Sequence, residues 1–180
     1  MSLLKSEIAI IAAFSKNRVI GKNGSIPWNI FEDKKHFKEL TTGHVVIMGR
    51  KSFEEITGLL KKPLPNRVNL ILSKTKNFSS EDFSNDDGLL SSEVKTFSDL
   101  KSAVNFAKEK YPLKKIFICG GEKIFEEAIS FCNKMYLTKI DSDFEGDAFF
   151  PKFDEKEFKV ISEKSFDEIP PYKFVELERK

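Results

Sequence analysis

The chain of 180 residues contains only two cysteines, Cys119 and Cys132, and one tryptophan, Trp28. Two thiols give no disulfide framework, and a pair of buried thiols in a reducing compartment is the simpler reading. Only two histidines occur. His36 and His44 lack Cys or carboxylate partners at ligand spacing, so no metal is expected. No Ser-His-Asp or Cys-His arrangement for nucleophilic catalysis is evident. No apolar run approaches the roughly 20 residues of a membrane-spanning helix. Met1-Ser2-Leu3-Leu4-Lys5-Ser6 has no signal-peptide apolar block. An excess of one charge is also missing: 30 Lys+Arg stand against 28 Asp+Glu, a net +2. That balance speaks against nucleic-acid and membrane-surface binding. The expectation is a cytoplasmic monomer.

What is present suits one compact domain over 1–180. The hydrophobic fraction is 40%, with 18 scattered phenylalanines that are expected to be mostly core. Ile8 to Phe14 is a continuous apolar run, as in a strand covered on both faces of a parallel sheet. Val45–Met48, Val68–Leu72 and Ile116–Cys119 read the same way. Met135–Ile140, Phe158–Ser165 and Lys173–Leu177 are predicted as later strands, the last two as an antiparallel pair. Helices are predicted over Asp33–Leu40, from Gly49 to Ile56, over Ser98–Lys110 with Ser98 as N-cap, and over Glu122–Phe131. Ser15 to Trp28 reads as a mobile loop hinged at Gly21 and Gly24. Lys74 to Glu93 reads as a variable polar loop around one weak strand, with a turn at Asp86-Asp87-Gly88. Strands alternating with helices predict a three-layer α/β fold: a mixed, mainly parallel sheet of about eight strands flanked by about four helices. Ligands bind such sheets at the strands' carboxyl ends. That directs attention to the residues after Ala13, Met48, Leu72 and Cys119.

Asp33 is the chemically interesting acid. On a helix it shares a face with Phe37, four residues on, and with Leu40. Two readings stand side by side. One is an acid favoured by the helix dipole at an N-terminus. The other is a carboxylate in an apolar cleft, with a raised pKa, kept for a ligand that carries hydrogen-bond donors. Gly49-Arg50-Lys51-Ser52 lies between a strand and a helix start, where backbone N–H groups and basic side chains suit phosphate. A solvated basic helix start is the plain alternative. Gly120-Gly121 also follows a strand and precedes a helix, but it is not the GxGxxG fingerprint.

The order of motifs adds to this. Ile20-Gly21-x-x-Gly24-x-x-Pro27-Trp28-Asn29 with Asp33 and Phe37 resembles the active-site segment of the dihydrofolate reductase family. Val46-Ile47-Met48-Gly49-Arg50, Pro63-Leu64-Pro65-x-Arg67, Ile118-x-Gly120-Gly121, Tyr136-Leu137-Thr138 and Glu145-Gly146-Asp147-x-x-Phe150-Pro151 follow in family order. The resemblance implies NADPH-dependent reduction of dihydrofolate to tetrahydrofolate for one-carbon metabolism, and sensitivity to antifolate inhibitors. It implies a catalytic group of Asp33, Trp28 and Thr138, with Asp33 holding the pterin and water delivering the proton to N5. Substrate contacts are implied for Ile11, Ala12, Ile26, Lys34, Phe37, Ile56, Leu64 and Cys119, and for Arg67 as a fork for the folate α-carboxylate. NADPH contacts are implied for Ala13, Ile20, Gly49, Arg50, Lys51, Ser52, Leu72, Ser73 and Lys74. They are also implied for Cys119, Gly120, Gly121, Glu122, Lys123, Ile124 and Phe125, with a cis peptide between Gly120 and Gly121. The segment 17–28 is expected to close over the nicotinamide.

The sequence departs from the family pattern in five places. Phe125 replaces a tyrosine, Lys34 an apolar residue and Cys119 an aliphatic one. Glu122 follows the glycine pair, where its charge would repel phosphate unless it turns away. The stretch 74–93 is longer than in compact members. Two other readings remain open: a riboflavin-pathway pyrimidine reductase of the same fold, and a non-catalytic NADPH- or pterin-binding regulator.

Overall fold

The structure is a computed structural model that describes residues 6–83 and 92–180. The turn expected at Asp86-Asp87-Gly88 lies outside these residues. The sheet core begins with β1 (Ile8–Ser15), β3 (Val45–Gly49), β4 (Val68–Leu72), β5 (Glu93–Phe97), β6 (Ile116–Ile118) and β7 (Lys134–Ile140). It is completed by β9 (Phe158–Phe166) and β10 (Tyr172–Arg179), in the order β5-β4-β3-β6-β1-β7-β10-β9. The first six strands pair in parallel, and β10 runs against both β7 and β9. The expected antiparallel final pair is therefore present. A small second sheet joins β2 (Val19–Gly21) to β8 (Ala148–Phe149).

The unbroken apolar runs are explained by their position. β1, β3 and β6 lie in the middle of the sheet with almost every residue buried, because both faces are covered. β1 supplies Ile10 to one core cluster and Ile11 to the other, on opposite sides of the sheet. Each such buried side chain contributes about 1.5–3 kcal/mol. β9, at the edge, carries Lys159, Glu163 and Lys164 and is mostly exposed, as suits an edge that avoids further pairing.

Four helices cover the sheet: α1 (Phe31–Thr41), α2 (Arg50–Leu60), α3 (Leu100–Lys110) and α4 (Glu122–Ile129). Several boundaries differ from expectation, and α4 ends at Ile129, two residues short of Phe131. α1 starts two residues earlier than Asp33 and α2 extends to Leu60, where Lys61 caps it in the left-handed conformation at φ 59°. The N-cap of α3 is Asp99, not Ser98: Asp99 Oδ1 accepts from Ser102 N at 2.8 Å. A carboxylate one residue on gives the same cap with a full charge, and Ser98 instead donates its hydroxyl to Asp99. Among the described residues of the 74–93 stretch there is a short 3-10 turn at Ser80–Phe83 and no strand before Glu93. β5, which pairs with β4, begins at Glu93 and lies almost wholly beyond the stretch where a weak strand was expected. The segment 15–28 is not wholly irregular, since β2 lies within it.

Candidate active site

Asp33 lies in the first turn of α1, next to Glu32, and α1 has no side-chain N-cap. The dipole reading is thus correct as far as it goes. It is incomplete, because Asp33 is also largely withdrawn from water and is held from the sheet. Thr138 Oγ1, in the middle of β7, donates to Asp33 Oδ1 at 2.6 Å. The register sets Thr138 beside Ala13 of β1 and Phe174 of β10. Burial pushes the Asp33 carboxyl above the ordinary carboxylate range; the Thr138 bond and the nearby His36 and Lys34 oppose this without overcoming it. His36 stacks on Phe174, with ring centroids 4.2 Å apart, and burial lowers its own pKa.

An apolar wall stands beside this acid. Ile11, Phe37, Ile56, Leu64 and Cys119 belong to one cluster. Burial pushes the Cys119 thiol up to about 12, so at neutral pH it is a neutral wall residue and not a nucleophile. The side chain of Ala12 lies in the cluster on the opposite face of the sheet. Ile26 is 52% exposed on the loop before Trp28. Arg67 is 5% exposed and donates to Thr41 Oγ1 at 2.8 Å, to the Pro65 carbonyl at 2.6 Å and to the Lys38 carbonyl at 3.3 Å. Its guanidinium lies 6.0 Å from the Phe37 ring centre. These acceptors fix the fork but use only part of its five donors, and none carries the negative charge an arginine normally meets when buried. Lys34 turns outward, its Nζ donating to Asn29 Oδ1 at 2.6 Å. Its charge is thereby kept off the Phe37 face.

The other side of the cleft is built from two helix N-termini. Gly49 caps α2 and Gly121 caps α4, neither with a side-chain hydrogen bond, so first-turn N–H groups are available to an anion. The two ends are stitched together, Gly49 N donating to Gly120 O at 2.9 Å. The expected cis bond between Gly120 and Gly121 is present. A Cβ at Gly49 would lie 3.1 Å from Ile124 Cδ1 and 3.8 Å from Gly120 O, whereas one at Gly121 would meet nothing within 4 Å. The cradle is therefore tight at its floor and open above, and it fits a diphosphate. Glu122 does turn away: its Oε2 accepts from Phe149 N at 3.0 Å. Phe125 is buried against Phe150 and Gly120. Basic groups continue toward the end of β4, where Ser73 Oγ accepts from Lys76 N at 3.0 Å. An acid also lies at this end: Glu54 receives Arg50 at 3.0 Å and Lys76 at 3.1 Å.

Over the cleft, the loop that contains β2 is tied to the segment around β8. Asn23 N donates to Asp147 Oδ2 at 2.9 Å, and Asp147 N to Gly21 O at 3.0 Å. Trp28 is buried with its ring edge-on to Phe144 at 5.2 Å, and its indole N–H has no partner among the described residues.

This geometry has relatives. Residues 7–179 match the family model described as dihydrofolate reductase. The chain belongs to the dihydrofolate reductase family. The dihydrofolate reductase of Bacillus subtilis is 34% identical over 177 residues, covering 96% of this chain and 95% of that protein. That of Staphylococcus aureus is 35% identical over 178 residues, covering 96% and 98%. Among solved structures, the dihydrofolate reductase from Enterococcus faecalis complexed with NADP(H) and RAB-propyl superimposes with a TM-score of 0.74 at 29% identity, covering 97% of this chain and 96% of that one.

Within this family fold, the sequence reading missed several groups that face the cleft. Glu54 and Lys76 were legible in part, since Glu54 is four residues after Arg50 on α2. His36 was dismissed as a metal ligand and not weighed as a neighbour of Asp33. Glu55, whose carboxyl burial pushes up and which faces Ser25 and Ile26, carries no motif. Among the described residues no group of three or more His, Cys, Asp or Glu is placed to hold a metal ion, and no helix is long and apolar enough to cross a membrane.

Proposed function

We propose that this protein is an NADPH-dependent dihydrofolate reductase, an oxidoreductase that reduces 7,8-dihydrofolate to tetrahydrofolate for one-carbon metabolism. The observation that carries the reading is a half-buried carboxylate, Asp33, held by Thr138 at 2.6 Å beside an apolar wall. A pterin presents adjacent ring N–H and amino donors on a flat apolar body, and this arrangement answers both features. Asp33 accepts from the ring, orients it and stabilises its protonated form. Thr138 fixes the carboxylate oxygen that faces β7. Phe37, Ile56 and Leu64 flank the remainder of the substrate, and Arg67 takes the α-carboxylate with its remaining donors. Trp28 and the loop above it exclude bulk water, with its indole N–H as a donor to the bound substrate or to a water.

The cofactor side is assigned on the same basis. The first turns of α2 and α4 hold the NADPH diphosphate. Arg50, Lys51, Ser73 and Lys74, with Lys76, hold the adenosine phosphate, tempered by Glu54. Bound NADPH supplies the hydride to C6, and the proton at N5 comes from water. Asp33 raises the fraction of substrate that accepts that proton. The protein acts as a cytoplasmic monomer and is a target for antifolates.

The test compares substrates. Purified protein is expected to consume NADPH when dihydrofolate is added and not with the ribosylamino-pyrimidine of riboflavin synthesis. Turnover of the pyrimidine, or tight NADPH and pterin binding with no turnover, would replace this reading with one of the two alternatives.

A further inference from the structure

Asn17, in the loop after β1, crosses to the segment before β8. Its Nδ2 donates to the carbonyl of Phe144 at 2.8 Å, and its Oδ1 accepts from the N–H of the same residue at 3.1 Å. A primary amide is the group that matches a peptide unit in this two-way fashion; a carboxylate would turn one of the two bonds into a repulsion. The amide is itself held. Ser15, buried at the end of β1, donates its hydroxyl to Asn17 Oδ1 at 2.6 Å and accepts from Val19 N at 2.9 Å. The bonds join residues 127 positions apart in sequence. They gather β1, the start of β2 and the 144 backbone around one exposed side chain.

Phe144 matters because of what its ring touches. It meets Trp28 edge-on at 5.2 Å, the geometry aromatic pairs favour. It packs on the cluster formed by Val19, Trp28, Ile30, Ile140 and Tyr172. Both outputs of the Ser15–Asn17 pair, Val19 and Phe144, therefore belong to the cluster that holds the indole, and Phe144 meets its ring directly. Trp28 leads through Asn29 and Ile30 into the first turn of α1 that carries Asp33.

We propose that Asn17, braced by Ser15, is a positioning residue that sets the indole of Trp28 over the pterin site by holding the Phe144 peptide. The inference rests on the reductase reading for its catalytic consequence, but its physical content does not. Asn17 touches neither substrate nor cofactor and is not a catalytic residue.

Trp28 is the sole tryptophan, so its emission reports this side chain alone. In the full-length protein, Asn17→Asp is expected to shift that emission to longer wavelength and to increase its quenching by acrylamide, before any ligand is added. It is expected to lower kcat about tenfold while the KM for dihydrofolate and the Tm change little. In a Phe144→Leu background, where the ring no longer transmits the constraint, Asn17→Asp is expected to add little further shift. Ser15→Ala provides the same optical test should Asn17→Asp fail to fold. Wild-type emission and quenching in the folded variant would overturn the proposal, whatever the activity does. An equal shift with and without Phe144 would also overturn it. Absence of dihydrofolate-dependent NADPH oxidation in the wild type would instead overturn the reductase reading and leave the optical result to stand by itself.

Discussion

The hydroxyl of Thr138 reaches across from the centre of β7 and donates to Asp33 on α1 at 2.6 Å. The two residues are 105 positions apart, and their bond fixes the only acid of α1 that faces the apolar wall. It also gives Asp33 a setting that the helix dipole by itself does not explain. A carboxylate there for the dipole alone would need neither a buried partner nor a raised pKa.

Removing the hydroxyl should cost binding and shift a titration. A hydrogen bond to a charged group is worth about 1.5–3 kcal/mol. Thr138→Val is therefore expected to lower kcat/KM for dihydrofolate by about ten- to a hundredfold. Because that bond pulls the Asp33 pKa down, its loss should move the Asp33 limb of the pH–rate profile to higher pH. A profile that moves to lower pH would contradict the assignment.

Asp33 should weaken the fold that holds it. Its pKa in the folded protein is raised by burial, so the folded state binds the proton more tightly than the unfolded one. Stability must then fall as pH rises from the ordinary carboxylate range through the raised value, and stay lower above it. Asp33→Asn is expected to have a higher Tm than the wild type at neutral pH. The difference should shrink as the pH is lowered below the raised pKa. Thermal melts at several pH values check this, and a Tm difference that grows toward acid would contradict it.

Gly146 leaves no room for a side chain. A Cβ there would lie 2.2 Å from Val19 Cγ1 and 2.6 Å from Gly21 O. The second of these atoms is backbone and cannot swing aside. Gly146→Ala is expected to cost about 1–3 kcal/mol of stability and to part the loop of β2 from the segment of β8, lowering kcat. Denaturant unfolding and steady-state rates measure the two effects.

Glu54 competes for the cations that we propose hold the adenosine phosphate. Its carboxylate holds Arg50 and Lys76 at 3.0 and 3.1 Å, in partly exposed pairs whose net worth is small. Glu54→Gln should release both groups. A severalfold lower Kd for NADPH is expected, with a steeper dependence on salt. Unchanged NADPH affinity would place the phosphate elsewhere.

The central strands themselves, though not their order in the sheet, were legible because burial on both faces leaves an unbroken apolar run, as in Ile8 to Phe14. The small β2–β8 sheet was not legible: two strands of three and two residues carry no periodicity, and their pairing spans over a hundred positions. β5 was obscured because Glu93, Lys95 and Thr96 alternate with Val94 at a sheet edge and read as loop. The α3 cap was misplaced by one residue because Ser98 and Asp99 are both good caps and only geometry separates them. For the site, Asp33, Thr138 and the glycine pair came from motif order. That order gave no sign of the acid beside Arg50, which is a local helix pairing. Nor did it indicate the outward turns of Lys34 and Glu122, which depend on partners at Asn29 and Phe149.

The central claim is that Asp33 serves the substrate and not the cofactor, and one variant tests it most directly. Steady-state turnover of Asp33→Asn with saturating NADPH and dihydrofolate is measured alongside an NADPH titration of the same protein. The account predicts a fall in kcat of about a hundredfold or more with the Kd for NADPH nearly unchanged. Near-normal turnover in the variant would contradict it.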